Sequence, residues 1–69
     1  MNTLKLSEIT KEEIYIISGD LINGSIIEKE TICRRIKYVN FEKKCIICEC
    51  DRRFIINENL KIEHFNKRN

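Results

Sequence analysis

The alternation of apolar and polar residues is clearest in the last third of the chain. Between Cys45 and Phe65, three short apolar runs (CIIC, FII and LKI) are separated by two polar breaks, DRR and NEN. β-Branched and aromatic residues interrupted by Asp and Asn are typical of strands joined by tight turns. The pattern therefore predicts a three-stranded antiparallel meander. Its first strand, CIIC, is expected to be central, or at least covered on both sides, because both of its faces are apolar.

The preceding segment, from residue 11 to residue 39, carries signals of helices. A hydroxyl residue is twice followed three positions later by Glu, which is the capping-box spacing: Thr10 with Glu13, and Ser25 with Glu28. Apolar residues then recur at helical intervals, and Asn23-Gly24 supplies a stop between the two runs. These signals predict helices at about 11–22 and 26–39.

The same segment also admits a hairpin. Asn23-Gly24 between apolar residues is a strong hairpin signal, and Gly19 inside a helix costs about 1 kcal/mol relative to Ala. Against the hairpin, neither face of the two strands is cleanly apolar, because each mixes Ile with acidic or basic residues. We therefore expect one domain, 1–69, of the α+β class, with two short helices packed on a three-stranded antiparallel sheet. The alternative is an all-β small barrel.

Basic residues are concentrated in the middle of the chain. The net charge is +4 over residues 29–44 but −3 over residues 1–28. Basic side chains on the exposed face of the second predicted helix suit phosphates and guanine edges. The element order also loosely fits a helix-turn-helix followed by a wing-like hairpin. The candidate nucleic-acid-binding residues are Arg34, Arg35 and Lys37 on the helix, with Lys43, Lys44, Arg52 and Arg53 around the sheet.

The four cysteines raise the question of a metal site. Cys45-x-x-Cys48 is half of a zinc knuckle, and Cys50, Cys33 and His64 are further candidate ligands. In a regular strand, however, Cys45 and Cys48 face opposite ways and do not share an ion. We therefore expect buried cysteines that act as small apolar residues, with no metal and no cofactor. A zinc-stabilised interaction module is the alternative.

The motifs that would indicate catalysis or membrane insertion are missing from the sequence. It contains no Gly-rich phosphate loop and no paired acids at a catalytic spacing, so we expect no enzyme. No apolar run approaches the roughly 18 residues of a membrane span, and no signal peptide is recognisable. We expect a cytoplasmic protein without a membrane partner.

Taken together, these features predict a small non-enzymatic binding protein. The first hypothesis is a nucleic-acid-binding regulator that acts on DNA or RNA through the basic helix and hairpin. The alternative is a protein-binding inhibitor or adaptor, because the charge is segregated and isoleucine is in excess for so small a core. Surplus apolar surface of this kind also suits a homodimer.

Overall fold

The computed structural model describes residues 4–65, and in this range nearly all regular structure is β. The strands are β1 (Ile14–Asn23), β2 (Ile26–Asn40), β3 (Cys45–Cys48), β4 (Arg53–Ile55) and β5 (Lys61–His64). Two single 3-10 turns, at Leu6–Glu8 and Glu49–Asp51, are the only helical elements in the described range. The helices predicted at 11–22 and 26–39 are therefore wrong, and with them the α+β fold class.

All strand pairings are antiparallel, and the first four strands form a ring. β1 pairs with β2, β2 with β3, β3 with β4, and β4 again with β1. β5 lies on the same edge of β1 as β4, so the order in the sheet is β2-β3-β4-β1-β5. The all-β small barrel, which was the alternative, agrees with this arrangement. The predicted meander is correct for β3 and β4 but wrong for β5, because β5 pairs with the first half of β1 and not with β4.

β1 is a strand because one of its faces is completely buried. Tyr15, Ile17 and Leu21 alternate along this face and are at most 4% exposed. Gly19 fills the remaining position, where the backbone of Leu60 lies so close that a Cβ would stand 3.2 Å from its Cα atom. The glycine is thus a point of close approach, and it does not interrupt the apolar face.

The spacing of apolar residues in β2 resembles that of a helix because the strand contains a bulge. The register with β3 shifts between Ile36 and Tyr38, which leaves Lys37 as the extra residue. A bulge reverses the alternation of side chains, so buried Ile36 and half-buried Val39 both contact the core although they are three residues apart. The first part of β2, Ile26–Thr31, is exposed throughout. Because all these side chains are exposed, the lack of an apolar face in this part of the sequence does not argue against a strand.

The core is formed by one cluster of side chains from all five strands. Its buried members are Tyr15, Ile17, Leu21, Ile36, Ile46, Cys48, Phe54 and Ile62. All four residues of β3 are buried, which confirms the expectation that this strand is covered on both faces.

The β1–β2 turn is Gly24-Ser25 and not Asn23-Gly24, because Asn23 pairs with Ile26. Gly24 has φ +65° at the first turn position, where the primed hairpin turns need a positive φ.

Candidate nucleic-acid interface

The basic residues predicted on a helix lie instead on β2, where two of them face acidic side chains. The Arg35 guanidinium lies 3.9 Å from the Glu49 carboxylate. The Lys37 Nζ atom lies 3.2 Å from a carboxylate oxygen of Asp51. Both acids belong to the short turn that follows β3. Exposed ion pairs add little stability, but each acid reduces the positive potential that a phosphate would meet.

Arg34 is separated from these two residues by the alternation of the strand. It pairs across the sheet with Tyr15, and its Nη1 atom donates a 2.8 Å hydrogen bond to the carbonyl of Cys33. Adjacent residues of a strand point to opposite faces, so Arg34 and Arg35 do not present one surface. The recognition-helix geometry expected from the element order has no counterpart in residues 4–65.

Arg52 and Arg53 lie beyond the far end of β3. They line a groove of about 590 Å³ that also includes Glu28, Glu30 and Asp51. Positive and negative side chains therefore share this groove. The predicted turn Asp51-Arg52-Arg53 is shifted, because Arg53 already belongs to β4.

Lys43 and Lys44 occupy the turn between β2 and β3, at the opposite end of β3 from Arg52 and Arg53. The turn is held by the Asn40 side chain, whose Oδ1 atom accepts a 3.0 Å hydrogen bond from the Lys43 amide. The Lys44 carbonyl accepts a 2.8 Å bond from the Ile56 amide, with Lys44 itself at φ 56°. Among the described residues, neither lysine forms an ion pair. Their ammonium groups thus remain open to an external anion.

Two exposed aromatic rings lie in the same part of the chain as these lysines. Phe41, in the same turn, is 68% exposed, and Tyr38, near the end of β2, is 53% exposed. Tyr38 precedes Asn40 by two residues, which is about 7 Å along a strand. We call Tyr38, Phe41, Lys43 and Lys44 the aromatic–lysine surface. A groove of about 240 Å³ adjoins it, lined by Leu6, Ile9, Thr10, Lys11, Ile36, Lys37, Tyr38 and Val39.

Sequence reasoning located only half of this surface. The charge pattern predicts the two lysines but not Phe41, and it places Tyr38 on a helix. The signal that could have identified the rings is local: in YVNFEKK, aromatic residues lie on both sides of an Asn that is suited to a turn, and two lysines follow after Glu42. Of the seven predicted basic residues, Lys43 and Lys44 share a turn with the exposed ring of Phe41, and neither forms an ion pair among the described residues.

The cysteines and the histidine do not converge. Cys45 and Cys48 are buried, whereas Cys33 and Cys50 are exposed. Burial raises the pKa of the Cys48 thiol to about 11, against a smaller opposing effect of Arg34, so this thiol stays protonated at neutral pH. Within residues 4–65, no three His, Cys, Asp or Glu side chains are placed to hold a metal ion.

His64 ends β5 and lies on the surface. Its Nδ1 atom is 3.1 Å from the Glu13 carboxylate, and its ring centroid is 5.7 Å from that of Tyr15. These contacts tie the end of β5 to the start of β1, which is a structural role.

The described range has no helix with the length and apolar character needed to cross a membrane. No protein-family model matches the sequence, and no curated protein or solved structure shows a significant match to it.

Proposed function

We propose that the protein is a non-enzymatic binding protein that holds single-stranded nucleic acid on its aromatic–lysine surface. The observation that supports this is the exposure of Tyr38 near the end of β2 and of Phe41 in the turn that also holds Lys43 and Lys44. Aromatic rings stack on bases of any sequence, and ammonium groups neutralise the phosphates between them. The two chemistries that a single strand requires thus occur within one turn and the end of one strand.

A single strand suits this surface better than a duplex. Bases in a duplex are already stacked and paired, so their faces are not open to an external ring. Duplex readers insert a helix or a two-stranded ribbon into the major groove, and no α-helix occurs in residues 4–65. Small β-barrels that bind single strands through exposed aromatic residues are an analogy for this arrangement.

The size of the surface limits the expected affinity. Two rings provide stacking for about two bases, at about 1–3 kcal/mol each. Lys43 and Lys44 add two phosphate contacts, while Glu42 in the same turn opposes them. Association also has an entropic cost. We therefore expect dissociation constants in the micromolar range or weaker, with a strong dependence on salt.

The test is fluorescence anisotropy with labelled oligo-dT, oligo-rU and a duplex of equal length, at low and at physiological salt. Phe41→Ala should weaken single-strand binding by about 5–150-fold, which corresponds to one lost stacking contact of about 1–3 kcal/mol. Lys43→Gln should reduce the slope of log affinity against log salt by about 0.7, the value for one phosphate of a single strand.

Two further variants serve as controls. Lys61→Gln removes a charge from β5, outside the aromatic–lysine surface, and should leave the affinity close to that of the wild type. Glu42→Gln removes the opposing charge and should strengthen binding. The proposal fails if no oligonucleotide binds at low salt, or if Phe41→Ala and Lys61→Gln behave alike. In that event the same exposed rings become candidates for docking a protein, the alternative expected from the sequence.

A further inference from the structure

The outer face of β3 is covered by side chains of the strands on either side of it. Ile46 and Cys48 belong to the core cluster, so Cys45 and Ile47 point to the opposite face, which we call the outer face. These two side chains are nevertheless only 7% and 6% exposed. The strands of residues 4–65 form a single sheet. In a single sheet, such cover comes from long side chains of the neighbouring strands.

The strand register identifies the side chains beside Ile47. This residue pairs with Tyr38 of β2 on one side and with Arg53 of β4 on the other. Side chains of directly paired residues lie on the same face of an antiparallel sheet. Two steps of about 4.8 Å between strands place the Cα atoms of Tyr38 and Arg53 about 10 Å apart. An aromatic ring and a guanidinium thus flank one apolar residue on the outer face.

The turn of residues 41–44, with Phe41 and the two lysines, lies at one end of this face. It connects Asn40 to Cys45, which are themselves paired. Tyr38 precedes Asn40 by two residues, or about 7 Å along the strand. The outer face of β2, β3 and β4 therefore extends from this turn to the row that contains Tyr38 and Arg53.

The register also separates the Arg53 side chain from the acids of the neighbouring groove. Leu21 pairs with both Glu28 and Phe54, so these three side chains share the core-facing side of the sheet, and so does Glu30. Arg53 directly precedes Phe54 in β4 and therefore points to the outer face. Among residues 4–65, no ion pair involves Arg53. Its exposed guanidinium is thus available to an external anion.

Arg52 carries the same charge but has the opposite orientation. Its backbone is extended, with φ −77° and ψ 137°, so the alternation of side chains continues through it. Its side chain therefore lies on the face of Phe54, where Glu28 and Glu30 line the same groove. Of these two neighbouring arginines, only Arg53 shares a face with Tyr38.

We propose that Arg53 is a further phosphate-binding residue of the aromatic–lysine surface, and that a single-stranded nucleic acid crosses β2, β3 and β4 on their outer face. This inference rests on the proposed function. The nucleic acid runs from the turn of residues 41–44 past Tyr38, which stacks on a base, to Arg53. At a rise of about 3.4 Å per stacked nucleotide, the distance from Tyr38 to Arg53 corresponds to about three nucleotides.

Fluorescence anisotropy with labelled oligo-dT over a range of salt concentrations tests the proposal, with Arg52→Gln as the matched control for Arg53→Gln. Arg53→Gln should lower the slope of log affinity against log salt by about 0.7, the value for one phosphate of a single strand. Its loss of affinity should therefore be about fivefold larger at about 20 mM salt than at about 200 mM. Arg52→Gln removes the same charge from the core-facing side and should keep a slope close to that of the wild type.

Arg53→Lys gives a second measurement. It keeps the positive charge at this position, so it should keep the salt slope of the wild type, and circular dichroism should show an unchanged β signature in all three variants. The proposal is overturned if Arg53→Gln and Arg52→Gln have equal slopes, or if Arg53→Lys loses as much slope as Arg53→Gln. Either result can occur while Phe41→Ala still weakens binding, and then only the role of Arg53 is lost. If no oligonucleotide binds even at low salt, the proposed function fails and this inference fails with it.

Discussion

Gly19 is the position where one added methyl group tests the fold most directly. It lies in the middle of β1 with φ +154°, a region that side-chain-bearing residues rarely adopt. A Cβ at this position would meet backbone atoms, the Leu60 Cα at 3.2 Å and the Asn59 carbonyl oxygen at 3.4 Å. Because these atoms belong to the backbone, they cannot rotate away as the end of a side chain could. Gly19→Ala therefore forces β1 and the segment before β5 apart.

The expected loss of unfolding free energy in Gly19→Ala has two parts. An unfavourable backbone conformation costs about 1–3 kcal/mol, and an overpacked contact costs a further 1–3 kcal/mol or so. A domain of this length has a total unfolding free energy of about 3–10 kcal/mol. Gly19→Ala should thus remove about 2–6 kcal/mol, a large share of the stability. With a urea dependence of about 1 kcal/mol per molar for a small protein, the midpoint should fall by about 2–6 M.

The assay is urea unfolding followed by far-ultraviolet circular dichroism, with Gly24→Ala as the matched control. Gly24 also has a positive φ, +65°, but a Cβ there would meet no atom within 4 Å. Its replacement should cost only the conformational strain of about 1–2 kcal/mol. The difference between the two variants isolates the contact with Leu60. If Gly19→Ala costs no more than Gly24→Ala, the close packing of Leu60 over β1 is refuted.

Three further outcomes follow from the local chemistry. Burial raises the pKa of the Cys48 thiol to about 11, against 9.0 for an unperturbed thiol, so the unfolded state loses this proton at a lower pH than the folded state. Urea midpoints should therefore show the stability falling as the pH rises from about 9 to 11, and falling less steeply in Cys48→Ala. Cys50 is exposed at φ 69°, so Cys50→Gly should relieve strain and raise stability by about 0.5–1 kcal/mol; an unchanged melting temperature would contradict this. Hydrogen bonds from Asn57, and to a smaller extent from Asn59, lower the pKa of Asp20. The Asp20 carboxylate therefore contributes to folding stability above about pH 4, and this contribution is lost as the carboxylate is protonated in more acidic solution. Asp20→Asn should therefore flatten the acid limb of the stability profile, and an unaltered limb would argue against these bonds.

The sequence and the structure agree best where the signals are local. The runs around Cys45 and Phe54 are short, β-rich and bounded by turn residues, and both are strands. The position of the break near Gly24 was also recognisable, because a left-handed conformation there suits glycine whichever element precedes it. Lys43 and Lys44 were identified as candidates from charge alone, since exposed lysines need no tertiary partner to be recognised.

The misassigned segments depend on contacts that the sequence does not display. In β2, the bulge at Lys37 gives Ile36 and Val39 a spacing of three, which is also the spacing of a helix face. In β1, the sequence alone makes Gly19 an unfavourable helix position, and only the structure shows that Leu60 packs closely against it. Both ambiguities were resolved by residues that are distant in sequence.

The sequence by itself determined the approximate positions of the turns near Gly24 and Arg52, which runs are apolar and where the basic residues are concentrated. Those properties follow from backbone preferences and side-chain polarity, which act over a few residues. Tertiary structure alone decided that residues 14–40 form a hairpin, that β5 pairs with β1 and not with β4, and that acids from the turn after β3 face Arg35 and Lys37. These outcomes depend on pairing between distant strands, because hydrogen bonds and burial across a sheet override local propensity in a chain with so small a core.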